Sequence, residues 1–252
     1  MTLSRKTVLI RAAAVAAALA AWELAALLLR QRFLLASPID VAVRLVTLVC
    51  EPGFFRSVLF TLSRIAGGFF LALVLGVLLG TLAGRFPVAE ILLRPYMVTV
   101  KSVPVASFIV IALVWLSAAR LSVFISFLMV LPVIYNAVLT GVRGLDPKLS
   151  QMAALFRVRP GQRLLYVILP QVMPGLLSAV SVSLGFAWKA GVAAEVIGIP
   201  GGSIGEKLYY AKIYLNSTDL LAWTVVIVVL SVGMEKLVTL ALSALWRKAV
   251  RS

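Results

Sequence analysis

The chain contains no histidine, and Cys50 is its single cysteine in 252 residues. Without histidine there is no imidazole acid or base, and the common zinc ligand sets are gone. One thiol excludes an intramolecular disulfide, and Cys50 is expected to be a small buried or interfacial side chain. Acidic residues number nine against 24 lysines and arginines. No paired carboxylates are spaced for hydrolytic work. No Gly-x-x-x-x-Gly-Lys-Ser/Thr loop occurs, so the chain does not hold ATP by that motif. Charged residues of both signs amount to 13%, about half the share in soluble domains.

Apolar residues dominate instead. Hydrophobic residues make up 62% of the chain, and the mean hydropathy is +1.09. This composition predicts an all-α membrane protein with about six transmembrane helices and no large water-soluble domain. The net charge of +15 would suggest nucleic acid in a soluble protein. No basic face with interleaved aromatics accompanies it here, so lysines and arginines gathered in cytoplasmic loops explain it better, and no nucleic-acid partner is expected. Arg5, Lys6 and the apolar run Ala12 to Leu29 resemble a signal peptide. The run is long for that role and carries Glu23, so a retained first span is expected.

Six spans follow from the apolar runs, at roughly 10–30, 57–83, 102–117, 122–142, 172–197 and 219–241. Residues 38–50 read as a short interfacial helix ended by Glu51-Pro52-Gly53. Residues 1–55 thus form an N-terminal span with its interfacial helix, 56–246 a core domain, and 247–252 a basic tail. In the second span Gly67, Gly68, Gly76, Gly80 and Gly84 either permit close helix approach or are merely tolerated in lipid. With both termini inside, fifteen cations fall on the cytoplasmic side, among them Arg85, Arg94, Lys101, Arg143, Lys148 and Arg157. Eight fall outside (Arg30, Arg32, Arg44, Arg56, Arg64, Arg120, Lys207, Lys212), and Lys189 stands within a span. Ser102-Val103-Pro104 opens a short third span, and the fourth carries Pro132 and Asn136. Gly198 to Gly205 reads as a re-entrant turn, followed by Tyr209 and Tyr210 at the interface. Glu235 and Lys236 are expected to snorkel.

The segment from Leu145 to Pro170 is the only long polar, basic stretch in mid-chain. Asp146-Pro147 is an N-cap followed by proline at the first helical position. Met152, Ala153, Leu155 and Phe156 give the helix an apolar stripe, and Arg157, Arg159 and Arg163 crowd its exit around Pro160-Gly161. A short amphipathic helix between spans is a docking element for something soluble, or else a loop without a partner. Lys189 and Glu195 sit inside the fifth span, where ionisable groups are costly and face a cavity or a counter-charge. Their six-residue spacing puts them on different helix faces. Lys189 either lines a pathway and attracts anions or pairs with Glu23, Glu195 or a backbone carbonyl.

Aligned on Ile168-Leu169-Pro170, the segment resembles the "EAA" coupling loop of ABC importer permeases. Gln151 takes the acidic position, Met152 and Ala153 the two alanines, and Arg157 the glycine. From about Ser57 to Trp246 the chain also resembles the nitrate/sulfonate/taurine group of these permeases. The matching pieces are Leu62 to Phe69, Ser102-Val103-Pro104, Gly141 to Pro147, and Ala187-Trp188-Lys189 through Glu195. The resemblance implies a type I importer permease fold with a cytoplasmic coupling helix between spans four and five. It implies a homodimer in the bacterial cytoplasmic membrane, surrounded by lipid, gripped from inside by an ABC ATPase dimer and met outside by a substrate-binding protein. ATP and magnesium would be held by the ATPase, with no cofactor, catalytic residue or metal ligand on this chain. The coupling set would be Gln151, Met152, Ala153, Leu155, Phe156, Arg157, Arg159, Gly161, Leu169 and Pro170. The pathway set would be Ser102, Pro104, Asn136, Lys189 and Glu195. The cargo would be a small, anionic solute. A secondary carrier or channel is the competing class, needing its ion site among Glu23 and Glu195. A membrane-embedded enzyme comes third.

Overall fold

A computed structural model describes residues 5–29 and 35–251 of the chain. Arg30 and Arg32, counted above among the outer cations, lie outside the described residues. All regular structure among the described residues is helical. The helices are α1 (Arg5–Leu29), α2 (Pro38–Val49), α3 (Phe54–Arg85), α4 (Pro87–Ser102), α5 (Val105–Ala112), α6 (Ala118–Arg143), α7 (Pro147–Leu155), α8 (Pro160–Arg163), α9 (Leu169–Gly198), α10 (Ile204–Ile213) and α11 (Ser217–Arg251).

Glycines set the central contact. Between helices already in lipid there is little apolar driving force, so close approach of backbones decides which pairs associate. Along α3, Gly68, Gly76, Gly80 and Gly84 lie against α6: a Cβ at Gly76 would stand 2.9 Å from the Ile134 Cβ, and one at Gly84 2.7 Å from the Val142 side chain. Gly67 on the opposite side of the helix has nothing within 4 Å. The stripe is therefore a packing surface. Helix α9 closes the trio, and Ile65, Phe69, Ile134, Leu184 and Trp188 are buried where the three meet. Helix α1 has no fully buried residue in its apolar window and touches the rest of the chain around Trp22, whose indole N–H donates to the Ala36 carbonyl at 3.1 Å.

Five stretches are long and apolar enough to cross a membrane, and a sixth is a bent pair. The expected continuous third span is absent from its place. Instead α4 and α5 meet at the Ser102–Pro104 break with a bend of 101°. Proline restricts the residue before it to extended backbone, and Val103 accordingly sits at φ −81°, ψ 132°. The fifth span also begins earlier than residue 172, because α8, a π turn at Leu164–Ile168 and α9 run on as one helical stretch, Pro160–Gly198. Pro170 has no N–H to return to Tyr166, and its ring crowds that carbonyl. The backbone widens just before it, so that the Leu169 N–H reaches back to the Leu164 carbonyl.

Other expectations are corrected locally. Residues beyond Gly198 turn directly into a helix of their own, α10, capped by Ser203, whose hydroxyl accepts from the Glu206 N–H at 2.9 Å. Cys50 is exposed. Glu235 is half-buried and accepts a hydrogen bond from the Ser181 hydroxyl rather than reaching for an interface. The basic residues Arg247 and Lys248 of the tail continue α11 as helix. Lys101, counted above on the cytoplasmic side, occupies the last turn of α4.

Candidate functional site

Helix α7 is built as a small rigid projection. Asp146 caps it, accepting from the Lys148 N–H at 2.8 Å, with Pro147 at its first position. Ala153 is 2% exposed and faces inward, where α7 rests on the π turn. The side chain of Gln171 on α9 accepts from the Asp146 N–H at 2.8 Å and donates to the Val167 carbonyl at 2.6 Å. Sequence reasoning missed Gln171, which a search for polar residues one step beyond the Leu-Pro pair would have found. The helix is thus tied to α9 through Gln171 and rests on the π turn beside it.

Its far side is bare. Leu155 is 79% and Phe156 72% exposed, with Met152, Gln151, Arg157, Arg159 and Gly161 exposed around them. Ala153 was expected to pack in a partner's cleft, but its burial within this chain gives that contact to the π turn. Leu169 and Pro170 are half-buried in the continuous helix and serve it by shaping the π turn.

The end of α7 explains a departure noted in the sequence. Arg157 has φ +49°, left-handed backbone, and the Arg157 and Val158 N–H groups return to the Ala154 and Ala153 carbonyls at 3.1 and 3.0 Å. This is a Schellman turn, whose left-handed position favours glycine. The resemblance places glycine there, and the reason is conformational.

The pathway residues divide. Ser102 and Pro104 line a cavity of about 360 Å³ with Val103, Met129, Val133 and Phe186. Asn136 lines a neighbouring cavity of about 260 Å³ with Glu90, Arg94 and Tyr135, and donates to the Pro132 carbonyl. Lys101 belongs to the walls of both. Lys189 is exposed, one turn along α9 from Phe186 and on its face. Glu195 is corrected: it is 0% exposed and lines neither cavity. Its Oε2 accepts from the Thr61 hydroxyl at 2.7 Å and the Gly205 N–H at 3.3 Å, while the Thr61 oxygen accepts from the Ile204 N–H at 3.0 Å. Glu195 therefore joins α3, α9 and the start of α10. A carboxylate at a helix N-terminus answers its unpaired N–H groups and its dipole.

At the same end as α10, Arg44 of α2 lies between Asp219 and Glu51. Hydrogen bonds to Asp219 and then Glu51 push its pKa above the ordinary guanidinium value. The cluster walls a cavity of about 490 Å³ with Lys207, Tyr210, Tyr214 and Trp223. No group of histidine, cysteine and acidic residues among the described residues could hold a metal ion.

Closely packed apolar spans, a broken sixth and a protruding capped helix define a polytopic helical membrane protein. The family model for binding-protein-dependent transport system inner membrane components matches residues 72–251, and the chain belongs to that family. It is 27% identical over 197 residues to the putative aliphatic sulfonates transport permease protein SsuC of Bacillus subtilis, covering 77% of this chain and 71% of that one. It is 27% identical over 233 residues to the taurine transport system permease protein TauC of Escherichia coli, covering 90% and 83%. The bicarbonate transport system permease protein CmpB of Synechococcus elongatus is 26% identical over 149 residues, covering 58% of this chain and 53% of that protein. The chain is accordingly an ABC transporter permease and a multi-pass membrane protein.

Proposed function

We propose that two copies of this chain form the membrane pathway of an ATP-driven importer for a small anionic solute in the bacterial cytoplasmic membrane. Both termini and α7 face the cytoplasm. An ABC ATPase dimer, carrying ATP and magnesium, seats the two α7 tips. A substrate-binding protein meets the opposite end, around α10 and the Arg44 cluster. ATPase closure moves α7, which shifts α9 through Ala153 and Gln171, and the spans alternate their access.

The observation that carries this reading is the construction of α7: Leu155 and Phe156 are bare at 79% and 72% exposure while Ala153 beneath them is anchored at 2%. Apolar side chains held out on a capped helix in water are suited to a partner's pocket. Coupling requires that the ATPase contact this helix differently in its two states. The names of the relatives, with sulfonate, taurine and bicarbonate as cargo, support an anion.

The test is affinity purification of the tagged chain from its native host. An ABC ATPase subunit should accompany the wild type and be lost with Leu155→Asp plus Phe156→Asp, at unchanged thermal stability because neither side chain is packed within the chain. Retention of the ATPase by that variant, or vanadate-insensitive uptake by this chain alone, would overturn the proposal.

A further inference from the structure

The two cavities at the α4–α5 break share Lys101, and their walls differ in chemistry. The smaller, of about 260 Å³, is polar: Arg94, Lys101, Tyr135 and Asn136 stand around it. The larger, of about 360 Å³, is mostly apolar, with Val100, Val103, Met129, Val133 and Phe186. Glu90 is the acidic residue of the polar wall, and its carboxylate is held by the Arg143 guanidinium. Arg94 and Lys101 have no ion pair among the described residues. Tyr135 is 2% exposed, and its hydroxyl has no hydrogen-bond partner among the described residues. The polar chamber therefore presents two free cations and one unused hydroxyl.

Depth makes this unusual. Helix α6 has 26 residues, ~39 Å at 1.5 Å per residue, enough to cross a ~30 Å hydrocarbon core. Met129, Pro132 and Val133, which wall the larger chamber, lie at the middle of α6, and Phe186 lies near the middle of α9. The break is consequently level with the middle of α6, and a membrane that α6 crosses end to end would hold it near the midplane. A lysine there without a carboxylate is costly unless it faces water or an anion. Broken helices at the midplane are where transport pathways place such contacts.

We infer that these paired chambers form an amphiphilic anion site. A sulfonate or carboxylate head rests against Lys101 and Arg94, with Tyr135 donating to one of its oxygens. A short apolar tail extends past Ser102 and Pro104 toward Phe186. The cargo class is an organic monoanion with an aliphatic tail, rather than an inorganic oxyanion that would leave the apolar chamber unfilled. The inference deepens the importer reading and rests on it for treating the break as a passage.

Thiol labelling tests it in the full chain in native membranes. With Cys50→Ser as background, Ser102→Cys is exposed to sulfonatoethyl methanethiosulfonate, itself a short alkyl sulfonate, and to its trimethylammonium counterpart. The anionic reagent should react faster by about tenfold or more, given the Lys101 cation on the same cavity wall at an effective dielectric of ~20–40. Lys101→Gln should abolish most of that preference, and Lys101→Arg should keep it. Hexanesulfonate should slow labelling, whereas nitrate at equal ionic strength should not. A preference unchanged by Lys101→Gln would overturn the site. So would a thiol that neither reagent reaches, at Ser102→Cys and again at Val105→Cys. Equal protection by nitrate would overturn the aliphatic cargo. Labelling needs neither ATP nor a partner, so it can fail while ATPase co-purification succeeds, and the reverse.

Discussion

Replacing Arg157 by glycine should tighten the end of α7, even though it removes an exposed side chain and a charge. Arg157 holds φ +49° at the end of α7, and two hydrogen bonds depend on that conformation. An L-residue in left-handed backbone costs roughly 1–2 kcal/mol from crowding of its Cβ against the carbonyl. Glycine avoids this but surrenders more freedom on folding, roughly 0.5–1 kcal/mol. The difference leaves ~0.5–1 kcal/mol in favour of glycine, which is ~2–5-fold in the equilibrium between the closed and frayed turn. Hydrogen exchange of the peptide containing Arg157 and Val158 reads that equilibrium directly, because their N–H groups make the two Schellman bonds. Exchange should slow by ~2–5-fold in Arg157→Gly. Arg157→Ala separates the causes: it removes the charge and keeps the Cβ, so exchange should stay near wild type. Equal slowing in both variants would assign the effect to charge, and no slowing in the glycine variant would refute the strain argument.

Two further predictions concern the Glu195 junction. Gly205→Ala should lower thermal stability by at least ~2 kcal/mol, since its Cβ would stand 2.6 Å from the Glu195 backbone carbon and 2.7 Å from the Val196 nitrogen. Gly201→Ala, with nothing within 4 Å, should be tolerated, and a thermal unfolding scan in detergent that fails to separate the two would refute the packing argument. Thr61→Val should cost about 1–3 kcal/mol by orphaning the Ile204 N–H and leaving the Glu195 carboxylate with the Gly205 N–H but without the Thr61 hydroxyl. Ser63→Ala, whose hydroxyl bonds only the exposed Phe60 carbonyl, should stay within about 0.5 kcal/mol in the same scan.

Local chemistry was legible without coordinates wherever one segment decides its own form. The cap at Asp146-Pro147, the break at Ser102–Pro104 and the apolar windows follow from proline, hydrogen-bond capacity and hydropathy, all short-range properties. The glycines of α3 also announced a contact, though only packing against α6 distinguished the four that make it from Gly67, which does not. The positive-inside count suggested orientation, but charge tallies know position along the chain and not depth, and only the fold shows Lys101 on the walls of two cavities.

Neighbours supplied the rest. Ala153 and Leu155 look alike in an apolar stripe, and only the π turn beneath α7 makes one an anchor and the other an exposed tip. Glu195 and Lys189 both read as costly charges in a span. Thr61 and the start of α10, 134 and about ten residues away in sequence, give the first a buried purpose, while the second stays exposed on the face of Phe186. A residue's chemistry is carried by its own atoms and can be read in order. Its surroundings arise from segments that meet only after folding, so the tertiary structure alone decided which of the two charges is buried in a junction and which stays exposed.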